Sequence, residues 1–125
     1  MGKKDDDKIR WLDEPEEHNY PSAYSYLSLV YDEEDAKRLV KKLRDAPMTT
    51  FKSRDIFRAS ELSLLGISNA KVQRNHEKIE DGKHLSPLLL VRQGDGKKVI
   101  IADGYHRMCS VYHLDEDALI PCKIV

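Results

Sequence analysis

The sequence predicts an α/β fold of the α+β kind, a small mixed sheet with helices packed against it. Three observations predict it. Apolar residues recur at helical intervals in residues 22–43 and again in 70–81. Two continuous apolar runs, Leu88–Val91 and Val99–Ala102, flank the turn-forming Gly94-Asp95-Gly96. A last apolar run closes the chain at Leu119–Val125.

Taken in order, residues 1–19 are dense in charge and offer a core little beyond Ile9, Trp11 and Leu12. They are expected to form a partly mobile segment, with residues 1–8 mobile. Residues 20–47 are expected to be a helical extension packed on the core. Tyr24, Leu27, Val30 and Tyr31 mark a short helix from Ser22. Asp32 then reads as the N-cap of a second helix, because Ala36, Leu39, Val40 and Leu43 fall at i, i+3, i+4 and i+7. Its acidic start and its basic end, Lys41, Lys42 and Arg44, complement the helix dipole, and Pro47 stops it.

Residues 48–125 form the expected main domain. Met48–Lys52 suits a short strand, followed by Ser53-Arg54-Asp55 and a brief apolar run that Gly66 closes. Asn69 can cap a third helix over about 70–81, with Val72, His76 and Ile79 on one face and Gly82 as its left-handed terminus. The two apolar runs read as a hairpin at the centre of a sheet. A helix follows directly, opening near His106 and carrying Met108, Cys109, Val111 and Tyr112. The final run is another strand.

Composition removes several function classes. The 125 residues carry 21 Lys and Arg against 22 Asp and Glu, a formal charge of −1, where a general nucleic-acid binder needs excess positive charge. No stretch reaches the roughly 18 apolar residues of a membrane helix, and no apolar leader is present, so a cytoplasmic protein is expected. Cys109 and Cys122 lack metal-ligand spacing and sit beside apolar neighbours, so no metal site is expected and both read as core residues.

The chemistry is expected at the junction of strand, turn and helix, Asp103-Gly104-Tyr105-His106-Arg107. A helix start exposes free N–H groups and the positive end of the dipole, and a glycine lets backbone approach a phosphate. His106 adds a group that exchanges protons near neutrality and Arg107 a planar fork matched to phosphate oxygens. The same Arg107 could instead pair with a nearby carboxylate. Lys71, Arg74 and Lys78 lie at i, i+3 and i+7, one basic stripe able to face an anion or simply solvent.

Lys71-Val72-Gln73 with Ile79, Ser86-Pro87 before an apolar strand, Gly104-Tyr105-His106-Arg107 opening a helix, and the closing Ile120-Pro121-Cys122-Lys123-Ile124-Val125 together resemble the ParB/sulfiredoxin superfamily over residues 48–125. The resemblance implies that the turn and helix hold nucleotide phosphates, ATP in sulfiredoxins and CTP in ParB proteins. It implies phosphate contacts for Gly104, Tyr105, His106 and Arg107, and a nucleotide-binding role for Lys71, with Arg74 and Lys78 on the same face. Two departures limit the transfer. Tyr105 stands where sulfiredoxins need a nucleophilic cysteine, so sulfinic acid reduction is not expected, and Cys109, a turn further on, is expected to point elsewhere. The chain also carries no recognisable helix-turn-helix module of the kind ParB proteins use to read DNA.

The expected function is therefore binding of a nucleotide (ATP, ADP or CTP) or another phosphoanion. The reaction class is phosphotransfer or nucleotide hydrolysis, with Asp103 or His106 as base and Mg²⁺ held by phosphates and Asp103. The alternative is a non-enzymatic protein-interaction or DNA-associated module that keeps the fold and works through the aromatics Trp11, Tyr20, Tyr24, Tyr26 and Tyr31. A nuclease is disfavoured by the lack of clustered metal-binding carboxylates.

Overall fold

The computed structural model describes residues 9–93 and 98–125. Its elements run β1 (Arg10–Trp11), α1 (Asn19–Val30), α2 (Glu33–Asp45), β2 (Thr49–Lys52), α3 (Ser53–Ser60), α4 (Ala70–Glu80), β3 (His84–Leu85), β4 (Leu88–Arg92), β5 (Val99–Asp103), α5 (Tyr105–Leu114) and β6 (Leu119–Ile124). The architecture is mixed α/β, with one four-stranded sheet in the order β2-β6-β4-β5 and a two-stranded parallel pair, β1-β3. β4 pairs antiparallel with β5 and parallel with β6, and β2 pairs antiparallel with β6.

The strands at the sheet's middle read as continuous apolar runs because both faces are covered. Leu88, Leu90 and Ile101 face one cluster with Ile56 of α3, Val72 and Ile79 of α4, and Met108, Cys109 and Val111 of α5. Leu89, Val91, Ile100 and Ala102 face the other, with Tyr20, Ala23 and Leu27 of α1 and Ala36 and Leu43 of α2. α1 and α2 thus layer one face of the sheet and α3, α4 and α5 the other. Both cysteines are buried and unpaired, as their neighbours imply.

Several expectations are met at atomic detail. The Asp32 side chain accepts from Asp35 N at 2.8 Å and starts α2. The Asn69 side chain accepts from Lys71 N and Val72 N, at 3.0 and 3.2 Å, and starts α4. Gly82 takes the left-handed conformation, φ 73°, after that helix.

Other expectations change. The hairpin is not at the sheet's centre: β4 is interior, but β5 is an edge strand, shielded by packing against α1 and α3. Its Gly94-Asp95-Gly96 turn lies outside the described residues. Helix α1 starts three residues before Ser22. α3 is a helix where the sequence pattern suggests only an apolar run. It has no side-chain N-cap bond and ends at Glu61 with φ 57°, so the usual start and stop signals are missing. What holds its start is remote: Ser53 Oγ donates to the Asp115 and Glu116 carbonyls at 3.0 and 2.7 Å. His76 is only half-buried, because its α4 face meets the rim of the core rather than its middle.

Residues 1–8 lie outside the described residues, but from Ile9 the N-terminal segment is a docked strap. Arg10↔His84 and Trp11↔Leu85 pair in parallel, and Leu12 N donates to Leu85 O at 2.9 Å. Farther along, Lys123 Nζ, buried at 4% exposure, donates to Arg44 O at 2.8 Å and meets Glu14 Oε1 at 3.3 Å. Arg44 lies over the Tyr20 ring at 4.3 Å and pairs with Glu17. A single buried ammonium therefore ties the strap to the end of α2.

Candidate phosphate-binding cleft

The junction between β5 and α5 is built around Gly104, whose φ of 113° is closed to ordinary L residues. A Cβ there would lie 2.6 Å from Leu88 Cγ and 2.9 Å from Arg107 Nη2. The chain can turn from edge strand to helix only with its backbone pressed on the central strand. The first α5 hydrogen bond runs from Met108 N to Gly104 O, at 2.9 Å. The N–H groups of Tyr105, His106 and Arg107 therefore lack carbonyl partners within the helix.

Arg107 reaches back across this turn. Its Nη2 donates to Asp103 Oδ2 at 2.8 Å and approaches Pro87 O at 3.4 Å, while its Nε is buried without a partner. The pair is about five-sixths buried, at 17% and 16% side-chain exposure, so it is weakly screened by solvent. Asp103 is committed to Arg107. The pairing weighed from sequence is thus present, and it leaves His106 as the better placed of the two candidate bases.

The His106 ring loses affinity for a proton through burial first, and then through the charges of Lys71 and Arg107. Its pKa lies below the ordinary 6.5, so the imidazole is neutral at pH 7, able to accept a proton from a reacting hydroxyl or donate one hydrogen bond. Tyr105 turns its hydroxyl to the Ser63 carbonyl, and burial raises its pKa. Cys109 does not point elsewhere: one turn on, it shares the Tyr105 face and interacts with its hydroxyl, and burial raises the thiol's pKa too.

α4 supplies the opposite charge wall. Val72 and Ile79 anchor it in the core, and the buried Ser110 hydroxyl of α5 donates to Val72 O at 2.6 Å, locking the two helices together. Lys71, Arg74 and Lys78 are exposed on this helix and, among the described residues, have no carboxylate partner. They join Asp103, Gly104, Tyr105, His106 and Arg107 in lining one polar cleft of about 420 Å³. All the residues singled out from sequence therefore converge, although they come from two segments some thirty residues apart.

Two lining residues escaped the sequence reading, Asn75 and His18. Asn75 could have been found, since it sits at i+4 from Lys71 on the same stripe. His18 carries no local signal, because the strap's fold alone brings it here. A mostly apolar cavity of about 170 Å³, lined by Phe51, Ile56, Leu90, Val99 and Ile124 together with Asp55 and Arg92, contains none of these residues. The polar cleft is the candidate site because it brings His106 and the Asp103–Arg107 pair together with Lys71, Arg74 and Lys78, three cations without a carboxylate partner among the described residues. Among the described residues no cluster of His, Cys, Asp and Glu is suited to a metal. The cleft's one carboxylate is spent on Arg107, so its residues do not fit a resident Mg²⁺ held by protein. Comparison with protein-family models, with curated proteins and with solved structures gives no match.

Proposed function

We propose that the protein binds a nucleotide, ATP, ADP or CTP, by its phosphates in this cleft, as a relative of the ParB/sulfiredoxin superfamily. The observation that carries the reading is the meeting of Lys71, Arg74 and Lys78, three cations without a carboxylate partner among the described residues, with the open N-terminus of α5 and a neutral His106. Preorganised positive charge around a half-buried space suits a polyanion and costs little reorganisation when it arrives. Gly104 lets the ligand reach backbone N–H groups, Arg107 is held to its task by Asp103, and His106 is the candidate base for phosphotransfer or hydrolysis. Any Mg²⁺ arrives on the phosphates. The reading places the protein in the cytoplasm, in keeping with two free, buried thiols; among the described residues no helix is long and apolar enough to cross a membrane.

Thermal stability measured with ATP, ADP, CTP and GTP, with and without Mg²⁺, tests it. A nucleotide at 100 times its Kd stabilises by about 2.7 kcal/mol, roughly 10 °C in Tm for a chain of this size. The shift should vanish in Arg107→Ala and shrink in Lys71→Ala. Absence of a shift with every nucleotide overturns the reading.

One observation favours a second reading, an interaction module. Tyr20 is buried and Tyr24 and Tyr31 pack against the cluster it belongs to, but Tyr26, Leu29 and Val30 leave an apolar end of α1 exposed, at 45%, 85% and 42%. Under that reading Arg107→Ala leaves partner binding unchanged, whereas Leu29→Glu abolishes it.

A further inference from the structure

The strap of residues 9–19 is anchored far more firmly than its composition requires. Beyond the β1-β3 pair and the Lys123 contacts, Glu16 Oε1 accepts from Ser86 Oγ at 2.5 Å, and Glu16 N donates to Asn19 Oδ1 at 2.8 Å. Asn19 is itself buried at 3% exposure, and Pro15 is buried beside this bond. Ser86 is next to Pro87, whose carbonyl meets Arg107. The strap's backbone is thus fixed to the same loop that positions the cleft's arginine.

Between these anchored residues sits His18, whose exposed side chain makes one long ionic approach, to Glu16. It occupies the N-cap of α1 yet makes no cap hydrogen bond. Its ring is 72% exposed and lies 4.0 Å from Glu16 Oε1, whose oxygen is already engaged by Ser86. The imidazole lines the cleft with Lys71, Arg74, Lys78 and His106. A backbone pinned by these bonds and holding a largely unengaged imidazole beside a cationic site is the arrangement of a ligand contact rather than of a structural one.

We infer that His18 is part of the binding site and donates a hydrogen bond to the bound phosphate group, so that the N-terminal strap completes a cleft whose other walls come from α4 and α5. The inference rests on the phosphate-binding reading but adds a residue outside the region of resemblance. Ligand occupancy and strap docking then support one another, because the same contact belongs to both.

The test uses the full chain with ATP and inorganic triphosphate as probes, comparing wild type, His18→Ala, His18→Asn and Arg107→Ala by calorimetry. A hydrogen bond to a charged acceptor predicts about tenfold weaker binding for His18→Ala. His18→Asn, which keeps a donor, should recover part of the loss. Because the ring is 72% exposed and its approach to Glu16 is a long surface ion pair that contributes little to stability, the ligand-free Tm of His18→Ala should stay close to wild type, and the His18 ring NMR signals should shift in step with saturation. Wild-type binding that His18→Ala leaves within twofold overturns this inference alone. No binding by wild type overturns both this inference and the phosphate-binding reading.

Discussion

Replacing Gly104 by alanine isolates the physical reason for the turn at the cleft. The substitution meets two costs that add: a φ of 113°, which strains an L residue by about 2 kcal/mol, and a Cβ placed 2.6 Å from Leu88 Cγ. Leu88 is fully buried in the central strand and cannot swing away, so the overlap costs about 2 kcal/mol more. The total of about 4 kcal/mol corresponds to a fall in Tm of roughly 15 °C. Two other glycines supply the controls. Gly82 has φ 73° but open space around its Cβ, so Gly82→Ala should cost only the backbone term, about 1 kcal/mol. Gly66 has no positive φ and nothing closer than 4.0 Å, so Gly66→Ala should be neutral or stabilise by about 0.5 kcal/mol. Urea unfolding of the three variants, with Leu88→Ala and the Gly104→Ala/Leu88→Ala pair, closes the argument. The pair should lose less than the sum of its singles, because removing the leucine's branch frees the space. A Gly104→Ala cost no larger than that of Gly82→Ala, or strict additivity with Leu88→Ala, would refute the crowding account.

Three further outcomes follow from the structure. The folded pKa of His106 lies below its unfolded value near 6.5, so its contribution to stability is present above pH 6.5 and is lost as pH falls through that value toward the folded pKa. His106→Gln should flatten this part of the pH–stability curve, and NMR titration should show a bound phosphate moving the ring pKa upward; an unchanged curve contradicts the assignment. Asp103→Ala strands the Arg107 guanidinium in a mostly buried position and should destabilise by about 2 kcal/mol in urea, with saturating phosphate restoring part of the loss. Burial pushes the Cys122 thiol up to about 11 and raises that of Cys109, so neither should react with an aromatic disulfide at pH 8 unless the chain is first denatured; a fast-reacting native thiol would be the contrary result.

By itself the sequence determined the features that short-range physics controls. Asp32 and Asn69 cap their helices through bonds to N–H groups two or three residues away. The apolar runs at Leu88 and Val99 announce strands covered on both faces, and the basic stripe of α4 follows from helical spacing alone. The Gly104-Tyr105-His106-Arg107 turn was legible because a glycine between an apolar run and a helical pattern has few structural uses. Tertiary structure decided what depends on partners distant along the chain. α3 exists because Ser53 finds carbonyls at Asp115 and Glu116, a contact no local window contains. The strand order made β5 an edge, since β6 inserts beside β4 from the far end of the chain. Arg107 was committed to Asp103, and His106 made neutral, by burial and by the charge of Lys71 on another helix. His18 reached the cleft only because β1 pairs with β3 and a buried Lys123 holds Glu14. Such pairings follow from burying apolar surface across the whole chain, so a site's members can be read from local pattern only when they share one helix or one turn.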